Sequence, residues 1–210
     1  MPQFFTHAFR SRDQNKLNLN LRPRANPIFW PGISTIDYGL TIFHQYFCSD
    51  FQYQPAGNTF LDEIPYISKA YKIEFEVKLN NSTYPYTTNI LQVTARPERK
   101  YHATITSVDQ QANSSSLRIL HGLGYKKNRS FSHPIGLHRF IRVRIMQYLD
   151  CNNKYRFSIY FNNVEVFSLT NTRPRELFNA LVFFGGPRRR AATNSIIRNF
   201  SFTNLWANAV

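Results

Sequence analysis

A chain of 210 residues, 16% of them aromatic, is long enough for one well-buried β-sandwich and rather short for two. Its 26 Lys and Arg against 12 Asp and Glu give a net charge of +14, a field that favours polyanions without choosing among them. No apolar run approaches the roughly twenty residues of a membrane-spanning helix, and two cysteines exclude a disulfide framework.

Residues 1–27 read as an extended basic arm. Arg10, Arg12, Lys16, Arg22 and Arg24 face Asp13 alone, and the apolar content is too thin to build a core. The arm lacks the apolar h-region of a secretory signal. Pro23, Pro27 and Pro31 punctuate its end, and residues 28–210 read as a single β-sandwich domain. The segment 38–47 is apolar and aromatic, as a buried strand requires, whereas 50–65 holds Gln, Pro, Gly and Asn and predicts a long loop. Strict alternation follows over 71–79: Tyr71, Ile73, Phe75, Val77 and Leu79 are apolar, and Lys72, Glu74, Glu76 and Lys78 are charged. Further strands are predicted over 88–94, 101–107 and 114–120, then a basic, glycine-containing loop over 122–136.

The last third is the clearest. Ile141, Val143 and Ile145 alternate with Arg142 and Arg144, and Tyr155, Phe157, Ile159 and Phe161 alternate with Arg156, Ser158 and Tyr160. Asn162-Asn163 suits a two-residue hairpin turn, since asparagine tolerates positive φ. Strands over 164–169, 181–184 and 196–202 follow, with one helical turn expected over 173–179. About ten strands without βαβ alternation predict an all-β fold, a two-sheet antiparallel sandwich.

The catalytic inventory is poor. His7, His44, His102, His121, His133 and His138 are scattered, with no His-x-His pattern and no helix to pair them. Glu74 and Glu76 share a strand face, as a glycosidase pair can, but Lys72 and Lys78 flank them and make a solvated face the better reading. The acids are too dispersed to converge on calcium, and no Cys-x-x-Cys pattern offers a zinc centre. No catalytic residue, metal or cofactor is therefore assigned. Cys48 and Cys151 can pair only if the fold brings them together; otherwise both are small buried hydrophobes. Sequons at Asn80, Asn81, Asn113, Asn128 and Asn199 favour an extracellular or cell-surface location.

Positive charge is concentrated. Between residues 126 and 144 lie Lys126, Lys127, Arg129, Arg139, Arg142 and Arg144 with no acid among them, and Arg188, Arg189 and Arg190 form a triplet. Arg142, Arg144 and Arg156 occupy the non-apolar positions of neighbouring strands and are expected to line one exposed face. Like charges without a counter-ion repel one another and invite an anionic partner, and guanidinium forks suit sulfate, phosphate and carboxylate. Tyr125, Phe131, Tyr148 and Tyr160 lie among them as stacking surfaces. The candidate ligand-binding residues are Lys126, Lys127, Arg129, Arg142, Arg144, Arg156, Arg188, Arg189 and Arg190.

Several segments carry a family likeness: Tyr71-Lys72-Ile73-Glu74-Phe75-Glu76-Val77-Lys78, Thr88-Asn89-Ile90-Leu91-Gln92-Val93-Thr94, Ile141-Arg142-Val143-Arg144-Ile145-Met146-Gln147, the hairpin over 155–167, Pro174-Arg175-Glu176-Leu177-Phe178, and Ile197-Arg198-Asn199-Phe200. Through them residues 71–202 resemble a laminin G-like, concanavalin A-like jelly-roll domain, of the type common in secreted and cell-surface proteins of cnidarians and other marine invertebrates. Lys100-Tyr101-His102-Ala103-Thr104 replaces the Gly-Asp-Arg-type motif of such domains, and Gly186-Pro187-Arg188 replaces an Asp-Pro-Trp element. The resemblance implies a jelly roll and a non-catalytic binding or adhesion module, with an anionic glycan or an acidic protein surface as partner. The alternative is a structural assembly subunit, a viral coat-like jelly roll whose basic arm contacts nucleic acid. Self-association is compatible with either.

Overall fold

Apolar residues at every second position deliver a single wettable and a single buried side only when the chain is extended. The computed structural model describes residues 35–36, 40–49, 52–57, 59–81, 83–95, 103–122, 128–186 and 190–207; the arm predicted over 1–27 lies outside them. Thirteen strands occur among the described residues. They are β1 (Thr35–Ile36), β2 (Leu40–Ser49), β3 (Thr59–Ile67), β4 (Ala70–Leu79), β5 (Thr88–Ala95), β6 (Ala103–Gln110), β7 (Ser116–Gly122), β8 (Asn128–Pro134), β9 (Ile141–Leu149), β10 (Tyr155–Phe161), β11 (Val164–Thr170), β12 (Leu177–Phe184) and β13 (Ser195–Ala207).

All strand ladders are antiparallel. One sheet has seven strands in the order β1-β2-β13-β4-β9-β10-β11, the other six in the order β3-β12-β5-β6-β7-β8. The chain crosses between the sheets after β2, β3, β4, β8, β11 and β12, which makes a jelly-roll sandwich. Ile73, Phe75, Val77, Val143, Ile145, Phe157, Ile159 and Phe202 of the larger sheet meet Ile64, Leu91, Val93, Val108, Leu117, Ile119 and Val182 of the smaller one in a continuous core. Rings span the two layers: Phe184 of β12 meets Phe200 of β13 edge-on at 5.7 Å, and Phe131 of β8 meets Phe167 of β11 at 5.0 Å.

Two strands stand where loops were expected, and each is an edge. β3 takes up the second half of the loop predicted over 50–65 and runs two residues past it; Asp62-Glu63 and Pro65 break its alternation, and an edge strand tolerates both. β8 falls within the loop predicted over 122–136 because Ser130 and Ser132 alternate with only Phe131 and His133, too few apolar residues to signal a strand. No helical turn forms over 173–179; Leu177 already begins β12, held in line by pairing with β3. The Asn162-Asn163 turn has φ of 48° and 70°, as its hairpin requires. Cys151 is a free, exposed thiol in the β9–β10 turn, so it is neither buried nor paired with Cys48. The turn is built by Asp150, whose Oδ1 accepts from the backbone N–H groups of Asn152 and Lys154 at 2.9 Å each.

Candidate functional site

On the outer face of the seven-stranded sheet, cross-strand register sets charges beside one another. Arg198, Glu76 and Arg142 form one row across β13, β4 and β9, and Glu74, Arg144, Tyr160 and Glu165 form the next across β4, β9, β10 and β11. The Arg142 and Arg144 Nε–H groups donate to Glu74 Oε1 at 2.8 and 2.9 Å, and the Lys72 ammonium lies 3.5 Å from Glu74 Oε2. Desolvation lifts the Glu74 carboxyl, but Lys72, Arg142 and Arg144 together outweigh it and hold that carboxyl below its usual range. Arg198 donates to Glu76 at 2.6 Å, and Arg156 reaches Glu165 at 3.4 Å and Ser168 at 2.5 Å.

The expected face therefore exists, with a correction. Arg142, Arg144 and Arg156 do share one exposed face, but each has a carboxylate partner, supplied by β4 or β11 rather than by the acid-free stretch 126–144. Pairing between distant segments provides counter-ions that no run of sequence displays. Compensation is partial: Lys72, Lys78, Arg142, Arg144, Arg156 and Arg198 outnumber Glu74, Glu76 and Glu165 by six to three. Rings sit among the cations. The Arg198 guanidinium lies 3.6 Å over Phe140, with the Lys78 ammonium 5.1 Å from the same ring, and Arg144 lies 5.9 Å from Tyr160. Tyr160 donates to Glu165 at 2.9 Å, and desolvation together with that carboxylate raises its hydroxyl above the ordinary phenol range. Further along the same face Ala70, Met146 and Leu205 are buried in a small apolar cluster with Tyr148, Tyr155 and Tyr160 against them.

Two further candidates, Arg129 and Arg190, are not part of this face. Lys126, Lys127, Arg188 and Arg189 lie outside the described residues. Arg129 is exposed on β8, the far edge of the smaller sheet. Arg190 is exposed beside β5, where Asn89 N–H donates to its carbonyl at 2.7 Å and its guanidinium rests 4.0 Å over the ring of Tyr86. Sequence reasoning missed Tyr86, which stands in a polar turn with no pattern around it.

Of the histidines, His121 is the most unusual. It is buried against Phe157 with ring centroids 3.8 Å apart, and its Nδ1–H donates to the Ile105 carbonyl at 3.2 Å. Burial lowers its pKa to about 4, so the ring is neutral at pH 7. It serves as a core residue bridging the sheets.

Strand order, the two-layer core and the cation-rich outer face define an antiparallel jelly-roll sandwich. No protein-family profile matches the chain, and no curated protein is similar to it in sequence. Among solved structures, the endo-β-1,4-glucuronan lyase from the fungus Trichoderma reesei is similar with a TM-score of 0.50 and 13% identity, over 73% of this chain and 79% of that one. A mutant of HCR/D gives 0.51 and 13%, over 81% of this chain and 44% of that one. The botulinum neurotoxin serotype D binding domain gives 0.47 and 12%, over 70% and 34%. The chain spans less than half the length of the last two. The likeness is one of fold.

Proposed function

We propose that this sandwich is a non-catalytic recognition module of the laminin G-like kind, taking an anionic glycan on the outer face of its seven-stranded sheet. One observation carries the reading: Lys72, Arg142 and Arg144 converge on the single carboxylate of Glu74. One acid cannot saturate three cations, and the Arg142 side chain remains 47% exposed with donors left for an incoming sulfate or carboxylate. Phe140, beside the start of β9, and Tyr160 stand among these cations and offer ring surface to a sugar. The non-catalytic assignment is supported by Glu74 itself, which stays ionised among its cations and so has no proton to give a leaving group. Placement outside the cell, with a role in adhesion, is supported by sequon asparagines Asn80, Asn113 and Asn199, all exposed. The glucuronan lyase shares the fold, and that likeness concerns the sandwich alone.

Heparin chromatography in graded salt tests the proposal. Retention beyond physiological ionic strength, reduced in an Arg142→Ala, Arg144→Ala double variant, is expected; elution at or below that strength rejects it. Light scattering on the same preparation is expected to show a small particle free of nucleic acid. A large assembly carrying nucleic acid would point instead to a shell subunit with a basic arm.

A further inference from the structure

Asn89 is a fully buried polar residue hydrogen-bonded to the chain at Gly186 and again at Arg190 and Ala192. Its Oδ1 accepts from Gly186 N–H at 2.6 Å, Asn89 N–H donates to the Arg190 carbonyl at 2.7 Å, and the Asn89 carbonyl accepts from Ala192 N–H at 2.9 Å. Its Nδ2 in turn donates to Ser107 Oγ at 2.9 Å and to Asp109 Oδ1 at 2.8 Å, and Arg118 donates to Asp109 Oδ2 at 3.0 Å. Asn89 and Asp109 are both 0% exposed. Burying such a network is unfavourable unless every group is paired, and what these pairs jointly fix is the position of the Arg190 backbone.

The Arg190 side chain has a contact of its own. Its guanidinium stacks 4.0 Å over Tyr86, a ring that is itself 51% exposed. Unlike Arg142, Arg144, Arg156 and Arg198, it has no carboxylate within ion-pair distance among the described residues. A stacked guanidinium keeps its in-plane N–H edge free, and holding it beforehand reduces the ordering cost of a ligand. Tyr84 Oη and Thr193 Oγ1, 2.7 Å apart, add hydroxyls at the same end of the sandwich.

We propose that Arg190 and Tyr86 form a second recognition site, separate from the sheet face, for a carboxylate or sulfate group carried on a saccharide. The guanidinium edge takes the oxyanion bidentately, and the open part of the Tyr86 ring packs against the C–H face of the sugar. Asn89 is its positioning residue. The site uses none of the sheet-face residues, so the two proposals stand or fall separately.

The test titrates isotope-labelled protein with a sulfated, uronate-containing disaccharide, following the Arg190 Nε–H and Gly186 N–H resonances, with cellobiose as the uncharged control. Saturable shifts at both groups are expected from the charged sugar alone. Affinity should fall about tenfold in Arg190→Lys and in Tyr86→Ala, because a point charge loses the fork and a missing ring loses the stack. Tyr86→Phe and the Arg142→Ala, Arg144→Ala double variant should stay within about twofold of the parent. Unchanged affinity in both Arg190→Lys and Tyr86→Ala overturns the site, as does equal binding of cellobiose. Tighter binding of a glutamate-rich peptide at Arg190 overturns the saccharide assignment.

Discussion

The outer face of the larger sheet and the loop end around Arg190 hold arginine in opposite ways. On the sheet, side chains of adjacent strands stand beside one another, so Arg142, Arg144, Arg156 and Arg198 each meet a glutamate. At the loop end the support is a buried amide beneath and an aromatic ring alongside, with no acid partner among the described residues. Charge on a sheet is regulated by its neighbours; charge on a clamped loop is offered outward. Counting cations along a sequence measures neither.

Acid separates buried from surface groups most sharply. His121 has its pKa lowered from 6.5 to about 4, so the unfolded chain binds the proton more readily than the folded one. Its contribution is present above pH 6.5 and is lost as the pH falls toward 4, roughly 3 kcal/mol in all. A His121→Phe variant should flatten that part of the stability–pH curve in urea titrations. Glu74, whose carboxyl is lowered, contributes above the ordinary carboxylate value and loses that contribution only on further acidification. If the two losses coincide, the contrast between interior and face is wrong.

Cutting the clamp comes next. Asn89→Ala leaves Gly186 N–H, Ser107 and Asp109 short of a partner and should cost about 2 kcal/mol in chemical denaturation. The Arg190 site should weaken in the same variant. Glu74→Gln should cost about 1 kcal/mol, since Glu74 is itself buried but its arginine partners are partly solvated. Yet it should delay elution from heparin, because Lys72, Arg142 and Arg144 are then released to an external anion. Earlier elution would show that Glu74 orders the face for binding rather than restraining it. Arg142→Ala should change stability least, by about 0.5 kcal/mol or less, while eluting at lower salt.

Alternation made most of the fold legible. Glu74 and Glu76 against Phe75 and Val77, and Arg142 and Arg144 against Val143, give the buried side of β4 and β9 directly. β3 and β8 were hidden because an edge strand buries one side only and admits Pro65 or a run of serines. Within the site, the shared face of Arg142, Arg144 and Arg156 was readable from a period of two. The compensation of Arg142 and Arg144 was not, since Glu74 lies nearly seventy residues away and register alone brings it there. Asn89 was equally silent: an asparagine inside a strand signals nothing until its amide is seen between Gly186 and Asp109.

The smaller sheet ends on β3, which contains Pro65, and on β8, which closes with Pro134. Each proline withholds a backbone donor where a neighbouring molecule would otherwise extend the ladder. Edge-to-edge pairing of two such sandwiches through the smaller sheet would therefore forgo a hydrogen bond at each proline.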